Sequence, residues 1–359
     1  MKRKKLLIFT GSMLFVAILV RWYSAGAGRV ERDYSNGFYP PFTLIFRHLF
    51  GWIPFSLGDI LYGLIGAFIL WRVARGLIAL FQKRVDRKSF GKGCLKMLAI
   101  FLAIYVYFNI SWGINYNRKG IADQLELKMQ QYSISDLQNL NSKLVEKLNG
   151  SKASLANSNT TYPTSAALFE RVHTAYERLG LTYPFLQYHT ISLKPSIWGW
   201  LGNYTGFTGY YNPFTGEAQV NTTVPKFLQP YVCCHEVAHQ LGYAKEMEAN
   251  FVGYLAAVAS RDTLFHYSVY LDLFFYSNRN LYSLDSVAAK SFSKQLSPAV
   301  MVDINEWRRF VRRHKNPIEP VIRWIYGKYL QSNQQPQGVL AYDEVTGFLI
   351  AYYKKFGKI

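Results

Sequence analysis

Three long apolar stretches dominate the first third of the chain, separated by polar and basic residues. They run over residues 6–22, 57–75 and 95–113. Each is close to the roughly 20 apolar residues that cross the hydrocarbon core of a bilayer. We therefore predict three transmembrane helices, with residues 76–81 continuing the second one as an interfacial helix.

The pattern beyond residue 116 is that of a folded domain. Helical periodicity runs from Ser135 to Leu148 and from Thr164 to Leu179, with Gly150 and Gly180 as predicted stops. A strand is predicted over residues 188–193, a hairpin or loop over 206–216, a short strand over 217–222, and mainly helix from residue 226 onward. The fold class is therefore α+β and mostly helical, with a membrane region over residues 1–116 and a folded domain over residues 117–359.

Basic residues cluster beside the apolar stretches. One cluster is Lys2, Arg3, Lys4 and Lys5, and the other is Arg72, Arg75, Lys83, Arg84, Arg87, Lys88, Lys92 and Lys96. Positive residues hold loops in the cytoplasm, so the N-terminus is predicted inside and the domain outside. The net charge of +19 then follows from membrane orientation, and we expect no nucleic-acid partner.

The first apolar stretch has two interpretations. Its short apolar run and the small residues Ala25-Gly26-Ala27 resemble a cleavable signal peptide, whereas the following Trp22 and Tyr23 suit a retained anchor, which we favour. Under both interpretations residues 22–55 form an outer loop. We expect a multi-pass protein whose partner is the lipid bilayer.

The strongest chemical signal is the pentad His235-Glu236-Val237-Ala238-His239. Positions i and i+4 share one helix face, so the two histidines can bind one Zn²⁺. Glu236 is then placed to act as general base on a zinc-activated water. The adjacent Cys233 and Cys234 lack the spacing of a structural zinc site, and we expect them to pack in the core.

Gly242 is predicted to end the helix that carries the pentad, and a third metal ligand is expected after it, where a second helix begins. Here the chain resembles the glutamate-zincins, in which a second helix supplies Glu with Ala three residues on and Asp or Asn four residues on. Glu246-x-x-Ala249-Asn250 matches that arrangement. The resemblance implies that Glu246 is the third ligand and that Asn250 orients a ligand histidine. Glu248 is the alternative, but it points about 200° away on the same helix.

Further motifs resemble an uncharacterised family of bacterial membrane proteins with three N-terminal spans and an extracytoplasmic zincin-like domain. They are Trp112-Gly113-Ile114-Asn115-Tyr116, Phe214-Thr215-Gly216-Glu217-Ala218, the HExxHxxG block at residues 235–242 and the Glu-Ala-Asn-Phe run at residues 248–251. The resemblance implies a location in the bacterial inner membrane, with the catalytic domain in the periplasm.

Substrate contacts are less clearly marked in the sequence. In zincins generally an edge strand before the catalytic helix pairs with the peptide, and Glu217, Ala218, Gln219 and Val220 are the candidates. An ordinary strand is an equal alternative. The oxyanion needs a nearby donor, for which Tyr204, Tyr210, Tyr211, His266 and Tyr342 are all conceivable.

These features together predict a membrane-anchored zinc metallopeptidase that hydrolyses an extracytoplasmic peptide or protein. The alternative is a membrane sensor or scaffold that binds zinc without proteolysis. Glu236 argues against that alternative, since a binding domain has no need of a base. An intramembrane protease is disfavoured, because the segment from Pro225 to Ala244 is too polar to cross lipid.

Overall fold

The computed structural model describes residues 3–82, 87–158 and 161–359. Of the basic clusters, Lys2, Lys83 and Arg84 lie outside these residues. The helices before the domain are α1 (Arg3–Ser24), α2 (Ala27–Arg29), α3 (Tyr39–Phe50), α4 (Leu57–Phe81) and α5 (Arg87–Ser111).

Three of these helices, α1, α4 and α5, are long and apolar enough to cross a membrane. The prediction of three apolar helices is thereby confirmed. Helix α4 is continuous from Leu57 to Phe81, so residues 76–81 continue it as predicted, and their interfacial position stays a prediction. Arg72 and Arg75 interrupt the run of apolar residues, but they are good helix formers and do not break the backbone.

The segment between α1 and α4, expected as an outer loop over residues 22–55, is largely helical. A π-helical segment, Val30–Phe38, leads directly into α3. Pro40 and Pro41 belong to this segment. They lie in the first turn of α3, where the missing N–H of proline removes no helical hydrogen bond.

The remaining elements form the domain. Its helices are α6 (Ile121–Gln124), α7 (Ile134–Asn157), α8 (Ser165–Thr182), α9 (Gly199–Thr205), α10 (Gln229–Gln240), α11 (Glu246–Ala259), α12 (Thr263–Leu284), α13 (Ser286–Lys294), α14 (Pro298–His314), α15 (Glu319–Ser332) and α16 (Val345–Phe356). The strands are β1 (Leu193–Pro195), β2 (Gly209–Asn212) and β3 (Glu217–Val220). The described chain is thus mostly helical with a small sheet, as the sequence predicts.

Several element boundaries differ from the sequence prediction. Helix α7 is capped by Ser133, whose side chain accepts from the backbone N–H of Asp136, and it continues through Gly150. A glycine inside a helix costs only about 1 kcal/mol, which the packing of this long helix offsets. The strand begins at Leu193 rather than Tyr188, because the buried Tyr188 hydroxyl accepts from the N–H of Ser192 and so holds this segment outside the sheet.

The three strands lie in the order β1-β3-β2. Strand β3 pairs with β1 in parallel and with β2 antiparallel, and all four of its residues are buried. The expectation that Glu217, Ala218, Gln219 and Val220 form an edge strand is therefore wrong. The free edge on this side of the sheet belongs to β2, because the β2–β3 hairpin turns at Gly216 (φ +68°) and returns β3 to the middle.

Residues beside the apolar helices pack directly on the domain. Tyr39, Trp112, Ile114 and Tyr116 form a buried cluster with Ala244 of the domain. The Glu217 carboxylate accepts from the first N–H groups of α4, with 2.6 Å to the nitrogen of Gly58. Contacts thus run across residue 116, and the division of the chain at that position stays a prediction.

Candidate metal centre

Helix α10 carries the predicted histidines and is buried along its whole length. Cys233 and Cys234 are buried in its first half, in line with a packing role. The helix stops at Gln240, and Gly242 turns the chain with φ +87°, which a residue with a side chain rarely adopts. Helix α10 therefore presents His235 and His239 one above the other, as the spacing predicts.

Helix α11 lies directly against α10 because Gly253 has no side chain. A Cβ at Gly253 would be 3.0 Å from the backbone nitrogen of His235. The first residue of α11 is Glu246, and its N–H donates to the side chain of the buried Gln335 at 2.9 Å. The close approach of the two helices brings the Glu246 carboxylate to the histidines.

The three side chains converge on one point. Oε2 of Glu246 lies 3.3 Å from Nε2 of His235 and 3.5 Å from Nε2 of His239. Ligands about 2.0–2.1 Å from a tetrahedral Zn²⁺ are separated from each other by roughly 3.3 Å, so these spacings fit such an ion. Oε2 is buried and has no hydrogen-bond partner in the described chain. His235, His239 and Glu246 can therefore hold a metal ion.

Glu248, the alternative ligand, lies elsewhere. Its carboxylate contacts the backbone at Gly120 and lies 3.8 Å from the ammonium group of Lys245. Burial raises the pKa of Glu248 despite that neighbour. The structure brings Glu246, and not Glu248, to the two histidines.

Charge is concentrated in this buried cluster. Burial lowers the pKa of His239, but the Glu246 carboxylate outweighs it and raises the pKa to about 9. Burial raises the pKa of Glu246, but the two histidines outweigh it and hold that pKa far below its usual range. Without a metal ion, the cluster therefore holds a proton that a metal would displace.

Glu236 lies beside the cluster on the same helix. Burial raises the pKa of its carboxyl to about 8. Its Oε2 is buried and lacks a hydrogen-bond partner among the described residues. A Cβ at Gly209, the first residue of β2, would lie 2.8 Å from Cγ of Glu236. The backbone of β2 thus passes as close to this carboxylate as a glycine allows.

Neighbouring groups orient two of the three candidate ligands, His239 and Glu246. Nδ1 of His239 donates to the carbonyl oxygen of Tyr243 at 2.8 Å, which leaves Nε2 for the metal. The hydroxyl of Tyr326 donates to Oε1 of Glu246 at 2.7 Å. Tyr326 could not be found from the sequence, because no spacing signal links α15 to the pentad.

Asn250 was expected to orient a histidine. It lies near enough to help raise the pKa of His235, although burial lowers that pKa overall. Its side chain oxygen accepts from the hydroxyl of Tyr231, and its nitrogen donates to the carbonyl of Tyr342. Nδ1 of His235 itself has no hydrogen-bond partner in the described part of the chain. An orienting role for Asn250 therefore stays a prediction.

Of the five candidate oxyanion donors, Tyr342 is the one at the site. Its ring stacks on His235 with 6.3 Å between centroids, and its hydroxyl lies 3.3 Å from that of Tyr326. The other four are engaged elsewhere. Tyr210 donates to Asp59, Tyr211 pairs with Tyr39, His266 bonds the carbonyl of Ser260, and Tyr204 contacts His314.

Residues next to the apolar helices cap the end of α10. Nε1 of Trp112 donates to the carbonyl of His239 at 3.1 Å, and the hydroxyl of Tyr39 donates to that of Gln240 at 3.0 Å. The Trp112 ring also packs edge-on against the His239 ring, 6.0 Å between centroids. The Trp112–Tyr116 run was noted only as a family feature. Its contact with a ligand helix needs the tertiary fold.

A cleft of about 290 Å³ opens over His235 and Glu236. One wall is the segment from Thr205 to Gly209, and the other is formed by Arg323, Tyr326 and Tyr342. A neighbouring cavity of about 490 Å³ continues past Asp272 and Trp307, which line both. The cluster is therefore reachable from one side, with room for an extended chain.

Comparison with known proteins gives one family. No curated protein and no solved structure matches the chain. A family model described as "Protein of unknown function (DUF3810)" matches residues 34–350, which include two of the apolar helices and the whole metal cluster. The chain belongs to this DUF3810 family.

Proposed function

We propose that this protein is a membrane-anchored, zinc-dependent metallopeptidase. One observation carries the proposal: a buried carboxylate oxygen of Glu246 without a hydrogen-bond partner among the described residues faces two imidazole nitrogens at 3.3 and 3.5 Å. Two nitrogens and one oxygen are a common catalytic zinc set, with a fourth position left open. His235, His239 and Glu246 would hold the ion.

Zinc, when bound, supplies a Lewis acid and lowers the pKa of a water in its open position toward neutrality. The residues of the chain do the rest. Glu236 would accept a proton at Oε2 and pass it to the leaving amine. The raised pKa of Glu236 suits a group that must hold a proton between the two transfers. A nearby cation would lower that pKa toward 7, because it favours the charged carboxylate. Tyr342 offers a hydroxyl donor to a developing oxyanion, whereas the single hydroxyl proton of Tyr326 is directed at Glu246.

Strand β2 takes the substrate role that we first assigned to β3. It is an edge strand, and its first residue, Gly209, touches Glu236. An extended peptide that pairs with this edge would place a carbonyl next to the cluster. Glu217 does not contact the substrate in this arrangement, because its carboxylate caps the first turn of α4.

The membrane anchor would be α1, α4 and α5, with the domain on the extracytoplasmic side of a bacterial inner membrane. The basic residues near the ends of these helices favour that orientation. A zinc sensor or scaffold without proteolysis is the alternative. It is disfavoured because zinc binding alone does not need the carboxyl of Glu236, whose buried Oε2 has no hydrogen-bond partner among the described residues.

The test uses the purified full chain. Wild type should bind about one zinc per chain by the ligand set proposed here, His239→Ala should lose it, and Glu236→Gln should keep it. Each form is incubated with a peptide library, and new termini are read by mass spectrometry. Wild type should produce cleavages that Glu236→Gln does not. A wild type that holds no zinc, or cleavages that persist in Glu236→Gln, would overturn the proposal.

A further inference from the structure

Helix α15 has an apolar face that no described part of the chain covers. Val321, Trp324 and Ile325 lie at i, i+3 and i+4, and Trp324 is 65% exposed. The opposite face is the functional one, since Tyr326 reaches Glu246. A helix that faces water normally carries polar residues on its outer side, so this face indicates another environment.

Helix α9 shows the same feature next to α15. Ile197, Trp200 and Leu201 are exposed, with Trp200 at 56%. The two helices are joined at the cleft, where the rings of Phe207 and Tyr326 meet edge-on at 5.1 Å. We name this surface the apolar rim; it consists of Ile197, Trp200, Leu201, Val321, Trp324 and Ile325. It borders the mouth of the cleft, because Phe207 and Tyr326 line the cleft.

Trp198, which follows Ile197 of the rim, contacts α4. This contact fixes how far along the axis of α4 the rim lies. Nε1 of Trp198, just before α9, donates to the carbonyl of Asp59 at 3.0 Å, and its ring would be 3.0 Å from a Cβ at Gly63. Gly63 is about 9 Å deeper along the helix axis than Leu57, where the apolar helix begins.

The length of α4 shows what this depth means. Its apolar part, Leu57–Ala79, has 23 residues and is therefore about 35 Å long, against a hydrocarbon core of about 30 Å. The part of α4 that extends beyond the hydrocarbon core, counted over both ends, is therefore only a few ångströms long. Gly63 and the ring of Trp198 are then below the surface of the hydrocarbon, and α9 lies at the boundary itself.

Charged residues on α15 agree with this level. Lys328 follows the rim one helical turn on, and Arg323 borders the cleft. Tryptophan together with basic residues is typical of helices that lie in the headgroup region of a bilayer. A protein partner would not require the rim to lie beside the apolar part of α4, where the contacts of Trp198 place its α9 end.

We propose that α9 and α15 insert the apolar rim into the leaflet on the domain side of the membrane. The cleft then opens at the membrane surface. One consequence rests on the proposed function: the substrate is a peptide segment close to the point where it leaves the bilayer. The insertion itself does not depend on any activity.

The experiment measures depth with nitroxide labels in the full chain. Cys94 is replaced by serine, while the buried Cys233 and Cys234 stay. Leu201→Cys and Trp324→Cys are labelled and reconstituted in vesicles of phosphatidylethanolamine and phosphatidylglycerol. The control is Val287→Cys on α13, which is 78% exposed and packs on α12, away from the apolar helices.

Both rim labels should be several-fold more accessible to oxygen, relative to a water-soluble nickel complex, than the control label. Equal ratios at the three positions would overturn the proposal. Labels shielded from both reagents would also overturn it, because they would indicate a protein partner or a second copy on the rim. A cooperative thermal transition like that of wild type checks that each variant is folded. The same result in a Glu236→Gln background would show that insertion stands even if proteolysis is refuted.

Discussion

The hydroxyl of Tyr326 provides a direct test of how the metal ligands are held. It donates to Oε1 of Glu246 at 2.7 Å, while Oε2 faces the histidines. The Glu246 side chain is 5% exposed, so water has little room to replace the phenol. Tyr326→Phe removes this one donor and keeps the ring, and the carboxylate becomes free to turn away from the metal position.

Two estimates of the effect agree. Loss of a group that orients a metal ligand typically lowers metal affinity 10- to 100-fold, which is about 1.4–2.7 kcal/mol. A hydrogen bond to a charged group contributes about 1.5–3 kcal/mol. The hydroxyl of Tyr342 lies 3.3 Å from that of Tyr326 and can move toward Glu246. We therefore expect about a 10-fold loss in Tyr326→Phe and about a 100-fold loss when Tyr342→Phe is added.

The assay is competition for zinc between the purified full chain and a chelating dye. Tyr329→Phe is the matched control, because that hydroxyl is on the same helix but bonds Tyr116 at 3.1 Å. It should leave zinc affinity unchanged. Wild-type affinity in both the single and the double variant would refute the idea that α15 orients Glu246.

Three further variants test other parts of the structure. Gly209→Ala should abolish turnover with zinc retained, because its Cβ would collide with Glu236; Gly327→Ala, where the described residues leave open space, should be as active as wild type. Glu31→Gln leaves the buried guanidinium of Arg118 without its charged partner, and it should lower the free energy of unfolding by about 3–5 kcal/mol; a thermal transition like that of wild type would contradict this. Burial raises the pKa of Asp272 to about 7, so the folded state binds more protons between about pH 4 and 7, and stability falls as pH rises through that window. Asp272→Asn should therefore stabilise the protein by about 1–2 kcal/mol at pH 8 and much less at pH 4, measured by thermal unfolding at both values. An equal effect at the two values would show that Asp272 does not titrate as described.

Features that depend on local periodicity were correctly predicted from the sequence. The three apolar helices follow from runs of apolar residues, and the placement of His235 and His239 on one face follows from the helical repeat alone. Gly242 was correctly assigned as the end of α10, because its positive φ is a property of glycine itself. The choice of Glu246 came from a resemblance, and the geometry agrees with it.

Features that depend on residues distant in sequence were beyond its reach. Strand β3 was expected to be an edge strand by analogy with zincins, and the sequence of a strand does not show how many neighbours it has. The pairing with β1 made it central. Tyr326 lies 80 residues from Glu246, and Trp112 lies 127 residues from His239. No spacing rule connects such pairs.

The sequence by itself determined which segments are apolar, where two imidazoles share a helix face, and where a glycine ends that helix. Each of these depends on interactions within a few residues. Only the tertiary structure decided which carboxylate meets the histidines and which strand borders Glu236. It also decided that the residue just before α9 contacts the apolar part of α4. These depend on how helices and strands pack, and packing joins residues whose separation along the chain carries no signal.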